Sequence, residues 1–227
     1  MIISAYKQQM GDEYLKLHPE IQKRFDFSTG NNVAFVGRGV MDKIWVGNKL
    51  TVFLLKLLSK SSILFPRVGE NINYEVHNYP YIDSHGREVH SLNRIFFFPD
   101  EIQRFDGTAL YSEKHEQIIE YLGLDQRMFF KMGLSAEDNG AIRFVSEKQY
   151  VFVLGKKIQI PFFLRGDIEL LEWYEEKEEK FYLDLKVTTK LLGPLFGFTG
   201  WFTGEYLDFK DKELPEDFRP TFEEVRE

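Results

Sequence analysis

Arg94 stands inside SLNRIFFF, a run otherwise suited to burial. Alternate residues of a strand share a face, so Arg94 lies on one side with His90, Leu92, Phe96 and Phe98. A guanidinium among such neighbours needs a partner, because an unpaired buried charge is very costly. Its planar fork matches a carboxylate or phosphate bidentately, which makes Arg94 a candidate anchor for an anionic head group. His90, Phe96 and Phe98 would line the same site. The competing reading is a salt bridge to one of the many Asp and Glu residues, or exposure at a sheet edge.

Other chemistry is harder to place. His77, His85 and His90 flank one hairpin, but no compact metal-ligand spacing joins them, so exposed or hydrogen-bonded histidines are the better expectation. Spacing fixes no carboxylate pair, and no nucleophile elbow, P-loop or dinucleotide fingerprint occurs. Gly37-Arg38-Gly39 is too short for a phosphate loop and reads as a bend in a strand. No catalytic residue, metal or cofactor is assigned, and a binding protein is expected over an enzyme. The chain has no cysteine, which excludes disulfides and Cys-ligated centres. Its formal charge of −7 argues against a nucleic-acid partner.

A second stretch of interest is Leu191 to Tyr206, LLGPLFGFTGWFTGEY, where Phe196, Phe198, Trp201, Phe202 and Tyr206 alternate with glycines. The glycines would let a closing strand coil, with Trp201 and its neighbours plugging or lining one end of the fold. A third is Lys49 to Phe65. At helical spacing, Leu50, Phe53, Leu54, Leu57 and Leu58 cover one broad side, and Lys49, Lys56 and Lys60 form a basic edge. This amphipathic helix is expected to pack over a sheet. Its alternatives are a lid over an apolar cavity, with Phe53 and Leu57 touching the ligand, and a membrane-surface helix.

The elements that must position these residues are mostly strands. Phe and Tyr, at 22 and 11 residues, favour β structure. Val33 to Val46 is the first strand. After the helix, alternation and turn residues mark strands at Asn71 to Tyr79, Arg87 to Phe98, Glu101 to Tyr111, Met128 to Leu134, Ala141 to Val145, Gln149 to Leu154, Asp167 to Tyr174, Phe181 to Thr189 and Thr199 to Phe209. Lys157 to Pro161 follows a turn, and Gln117 to Leu122 is ambiguous between strand and helical turn. Asp12 and Pro19 start short helices before Ser28. The expected fold is mainly β: an antiparallel β-barrel or strongly curved sheet of about nine to ten strands, with one amphipathic helix after the first strand and short N-terminal helices. One domain is expected over 1–227, with a helical and loop prelude at 1–32 and a polar tail at 210–227, extended and poorly packed. No signal-like or membrane-spanning apolar run occurs, which points to the cytoplasm.

The chain resembles a bacterial family of unknown function, the domain at the C-terminus of YndJ-type membrane proteins, also found fused to saccharopine-dehydrogenase-like domains. The marks are Phe35, Gly37 and Gly39 in the first strand, and a leucine-rich segment ending at Pro66. Arg94 and Phe96 follow in a strand where Leu92 replaces the family's Trp. Ile158 to Pro161 and Gly193 to Trp201 complete the pattern. The family carries no established activity. The resemblance implies association with a membrane protein, and the amphipathic helix adds the membrane surface as a partner. Taken together, the expected function is the holding of an apolar or amphipathic, lipid-like and acidic small molecule. The alternatives are a module docking on a membrane protein or oxidoreductase, and an enzyme with a dispersed site.

Overall fold

A computed structural model describes residues 3–210 and 212–227. Met1 and Ile2 of the expected prelude and Asp211 of the expected tail lie outside the described residues. The strands are β1 (Val33–Val46), β2 (Gly69–Asn78), β3 (Pro80–Ile82), β4 (Glu88–Phe97), β5 (Ile102–Ser112), β6 (Gln117–Leu122), β7 (Met128–Ala136), β8 (Ile142–Val153), β9 (Lys156–Gln159), β10 (Asp167–Glu175), β11 (Lys180–Thr189) and β12 (Gly193–Asp208). They pair in the order β10-β11-β12-β1-β2-β4-β5-β6-β7-β8, and β8 then pairs back onto β10. The result is a closed antiparallel barrel. β3 and β9 lie outside it, on β4 and β8. Closure leaves the barrel strands without free edges.

The alternation of glycine and aromatic residues has a packing cause. A Cβ on Gly37 would lie 2.7 Å from both Phe202 and Val76, and one on Gly204 would overlap the Phe35 ring. Gly37, Gly197 and Gly204 therefore admit rings, whereas Gly39 and Gly200 admit the backbone of the neighbouring strand. Phe35, Phe196, Phe198 and Phe202 all point inward and are buried, whereas Trp201 is on the outer face beneath Lys180.

Helices close both ends. At one end, α1 (Ala5–Met10), a 3-10 turn (Gly11–Lys16) and α2 (Pro19–Phe25) bury Tyr6, Met10, Tyr14, Ile21 and Phe25. Pro19 occupies the first turn of α2, and the His18 ring accepts the Glu20 N–H. Gln9 bridges β6 and β7, accepting from Ile118 N–H and donating to the Met132 carbonyl. At the other end, α3 (Lys49–Leu58), capped by Asn48, inserts Leu55, and the following segment inserts Ile63, Leu64 and Phe65. Phe65 meets Phe96 and Phe196 edge-on, which fills the barrel below α3.

Four expectations need correction. The helix ends at Leu58, not Phe65, because Ser59–Ser61 tighten to a 3-10 turn and Ser62 adopts φ 54°. The strands expected at Ala141 to Val145 and Gln149 to Leu154 are not separate. They are one strand, β8, whose register on β7 slips between Phe130 and Met132, so Glu147-Lys148 is a bulge and not a turn. The closing strand begins at Gly193 and takes in the whole aromatic stretch. The tail is extended but well packed. Thr221 N–H donates to the Leu124 carbonyl, Glu224 N–H to Gln126, and the Tyr121 hydroxyl to the Arg226 carbonyl. Glu224, Leu214 and Pro220 are buried. The tail packs Leu214 and Phe218 into one apolar cluster on the outer wall, with Ala34, Val36 and Tyr79, and crosses another, with Leu110, Ile119, Tyr121 and Phe129, which polar composition alone did not reveal.

Candidate functional site

The barrel is not filled with apolar atoms alone. Between the N-terminal plug and the aromatic layer under α3 lies a cavity of about 50 Å³. Its walls are mostly apolar, including Phe105, Phe130, Phe144, Leu170 and Phe198. Four ionisable side chains converge on it: Arg24, Arg94, Glu120 and Glu172.

Each arrives for a local reason. On β4, Leu92, Arg94 and Phe96 share the inward face, so the strand alternation that buries Phe96 also turns Arg94 in. On β6, Ile118 and Leu122 face the core, and Glu120 between them must do the same. Gly107 lies beside it on β5, and a Cβ there would come 3.1 Å from Glu120 Oε1. On β10, Ile168, Leu170 and Glu172 form one inward row. Arg24 comes from the last turn of α2 and enters the barrel across the Phe35 ring, 4.0 Å from its centre.

The polar atoms here are incompletely matched. Arg24 Nε lies 3.4 Å from Glu172 Oε1, an ion pair buried on both sides. Its geometry is too poor for a hydrogen bond, and Arg24 Nε and Nη1 and Glu172 Oε1 have no such partner. Arg94 Nη1 is buried without a hydrogen-bond partner, and its guanidinium lies over the Phe105 ring, 4.8 Å from the ring centre. A half-satisfied network of this kind in a low-dielectric interior is costly unless something in the cavity completes it.

Burial sets the protonation pattern. It raises the Glu120 carboxyl to about 7, with the Arg94 charge opposing the rise. It also raises Glu172, where Arg24 and then Arg94 oppose it. Burial pushes the Tyr6 and Tyr74 hydroxyls up, so both stay neutral donors. Two guanidinium groups thus face two carboxyl groups that burial pushes toward the neutral form, Glu120 to about 7. The cavity carries a positive balance that grows as pH falls through 7.

The wall beside the cavity has a thin place. β8 and β10 pair only through Ile142 to Val145 and Glu169 to Glu172. Beyond that, side chains replace the backbone ladder. Ile168 N–H donates to Ser146 Oγ at 2.8 Å, Gly166 N–H to Gln149 Oε1 at 3.1 Å, and Gln149 Nε2 to the Gly166 carbonyl. Val145, Ser146 and Ile168 on this seam also line the cavity.

Of the residues singled out from sequence, Arg94 lines the cavity. Phe96 and Phe98 lie in the aromatic layer around Phe65, and His90 packs against Tyr6 and Phe27 at the N-terminal end. Phe53 and Leu57 are exposed on α3, and Trp201 is outside the barrel. His77 lies on the outer wall against Phe218, and His85 is in the β3–β4 turn, so the three histidines do not converge. Glu120, Glu172 and Arg24 were missed. Glu120 in QIIEYL and Glu172 in DIELLEWYE gave the same signal as Arg94, a charge on the apolar side of an alternating run.

The family model described as "Domain of unknown function (DUF4166)" matches residues 17–202, a span that includes Arg24, Arg94, Glu120 and Glu172. The chain is also 30% identical over 202 residues to the uncharacterized protein YndH of Bacillus subtilis (strain 168), covering 89% of this chain and 97% of that protein.

Proposed function

The chain belongs to the DUF4166 family, and we propose that its barrel is a non-catalytic binder of a small amphipathic acid. The ligand's carboxylate pairs with Arg94, and its apolar part lies against Phe130, Phe144, Leu170 and Phe198. The observation that carries this reading is Arg94 Nη1, buried at the cavity without a partner. An incoming carboxylate supplies the missing acceptor in bidentate geometry. The Tyr6 and Tyr74 hydroxyls, held neutral, are further donors at the same cavity. At about 50 Å³ the cavity takes a head group and a short tail. A longer acyl chain has to displace flexible side chains such as Met132, or part the Gln149 seam.

Native mass spectrometry of gently purified protein tests for a retained acid, and thermal-shift titration with carboxylic acids of increasing chain length supplies the probe series. Stabilisation by at least one acid, lost in Arg94→Met and partly kept in Arg94→Lys, is the expected result. No retained mass and no shift with any acid would sink the reading.

One observation favours a second reading. A carboxyl titrating near neutrality beside a guanidinium is equipped for proton transfer on a bound acid. Glu120→Gln separates the two. A binder keeps or gains affinity for the acid in this variant, whereas proton transfer on the bound acid, followed by its exchange with solvent deuterium, is abolished.

A further inference from the structure

Leu50, Phe53 and Leu57 follow one another at helical spacing along α3 and are 59%, 63% and 52% exposed. The helix holds to the barrel by its other side, through Thr51 and Leu55. The apolar stripe does not end with the helix. Gly47 N–H donates to the Leu195 carbonyl, which sets the start of α3 against the β11–β12 turn. In that turn Leu191 is exposed, and its N–H donates to the Phe163 carbonyl. Phe162, Phe163 and Leu164 are exposed in turn. Two aromatic-leucine clusters from distant parts of the chain are therefore neighbours at one end of the barrel. Exposed apolar side chains gathered in this way mark an interaction surface.

Charge selects the partner. Residues 47–61 contain Lys49, Lys56 and Lys60 and no Asp or Glu, and Lys190 sits in the β11–β12 turn. All four are exposed. The lysines that form ion pairs among the described residues are Lys7, Lys23, Lys180 and Lys186, so these four keep their charge available. The acidic β10–β11 turn, with Glu176, Glu178 and Glu179, and the exposed pair Glu137 and Asp138 are at the opposite end. In a chain of net charge −7, this patch carries four lysines and no carboxylate of its own, and the acids near it include Asp100 and Glu101, both paired with Arg67, and Asp125, paired with Arg127. A second copy of the chain docking symmetrically on this patch would set lysines against lysines. A bilayer with anionic head groups meets both features at once, taking phenylalanine and leucine into its interface and lysines onto its surface.

We propose that the α3 end of the barrel docks on anionic membrane surfaces, with Phe53, Leu57 and Phe163 entering the interface and Lys49, Lys56, Lys60 and Lys190 resting on the head groups. This surface is independent of the interior ligand site.

The test is co-sedimentation of the full chain with vesicles of phosphatidylcholine alone and of phosphatidylcholine with phosphatidylglycerol. Binding is expected on the anionic vesicles, at least ~10-fold weaker on the neutral ones and weakened by salt. Phe53→Ser with Phe163→Ser should lower it by ~10-fold or more, with an unchanged circular-dichroism spectrum, because both side chains are exposed. Leu15→Ser, at an exposed leucine of the opposite end, should leave it unchanged. No binding to anionic vesicles overturns the proposal and leaves the patch to a protein partner. Equal loss with Leu15→Ser also overturns it. So does a dimer in sedimentation equilibrium that Phe53→Ser dissolves, since the patch then belongs to a second copy.

Discussion

The two ends of the barrel are closed by the same kind of element and put it to opposite use. At the N-terminal end the plug turns Tyr6, Met10, Tyr14, Ile21 and Phe25 inward, and all are buried. At the other end α3 buries Thr51 and Leu55, while Leu50, Phe53 and Leu57 face out. The N-terminal plug also reaches deeper, because Arg24 passes beyond it into the cavity and pairs with Glu172 on β10. A helix that sends a charge into the core is bound to the core's electrostatics. A helix held by a narrow strip keeps a surface free for something else. The first end therefore governs stability and the interior site, and the second governs what the outside of the molecule meets.

The largest effect expected from this contrast is at Arg24. Arg24→Ala removes the partner of a carboxylate that is 5% exposed and strips packing from the Phe35 ring. Breaking one side of a buried ion pair costs about 3–5 kcal/mol. Denaturant unfolding should show a loss of that size, much reduced in Arg24→Ala with Glu172→Gln, since the double variant leaves no charge behind. A loss under about 1 kcal/mol for Arg24→Ala alone would mean that the plug does not couple to the core.

Glu120 gives the next largest effect, and a pH dependence of definite sign. Its ordinary value is 4.5 and its value in the folded barrel is about 7. Between these limits the folded chain holds a proton that the unfolded chain has released, so stability falls as pH rises from 4.5 to 7 and stays low above. Each tenfold difference in proton affinity is worth roughly 1.4 kcal/mol, which puts the loss on the order of 3 kcal/mol. Glu172, also raised by burial, adds in the same sense. Glu120→Gln should therefore unfold at higher denaturant than the parent protein at about pH 8 and match it at about pH 4. The same substitution keeps the cavity positive under the alkaline condition, so affinity for a carboxylate should rise there. A flat profile in the parent protein would remove Glu120 from the interior site.

The residues of these two predictions differ in how much of them the sequence exposed. Strand alternation located the barrel wall, and a charge in an apolar run located Arg94. The same rule applied to QIIEYL and DIELLEWYE gives Glu120 and Glu172, but a rule about faces does not say that β4, β6 and β10 look at one another across a closed barrel. That depends on β8 returning to β10 by four residue pairs, a long-range choice with no local signature. Arg24 was less legible still, because its place depends on where α2 sits and not on the pattern within it. The α3 face was misplaced for a related reason. Its side chains are apolar through most of a turn, and amphipathicity names a face without naming the neighbour that covers it.

The smallest effect, at Leu57, is the most telling about the α3 end, because it is read against Leu55, a leucine two positions away on the same helix. Leu55 is 0% exposed and belongs to the core cluster, whereas Leu57 is 52% exposed and touches solvent. Leu55→Ala should cost about 2–5 kcal/mol, the range for a buried leucine that leaves a cavity. Leu57→Ala should stay within about 0.5 kcal/mol, because it removes little buried area and alanine favours the helix. If both cost the same, Leu57 is covered in solution and the apolar stripe is part of a core. If Leu57→Ala is neutral for unfolding yet weakens vesicle binding, the side chain is maintained at the surface at no benefit to the fold. Its role then lies in the contact it makes, and that separates α3 from the N-terminal plug, where Tyr6, Met10, Tyr14, Ile21 and Phe25 are buried and contribute to stability.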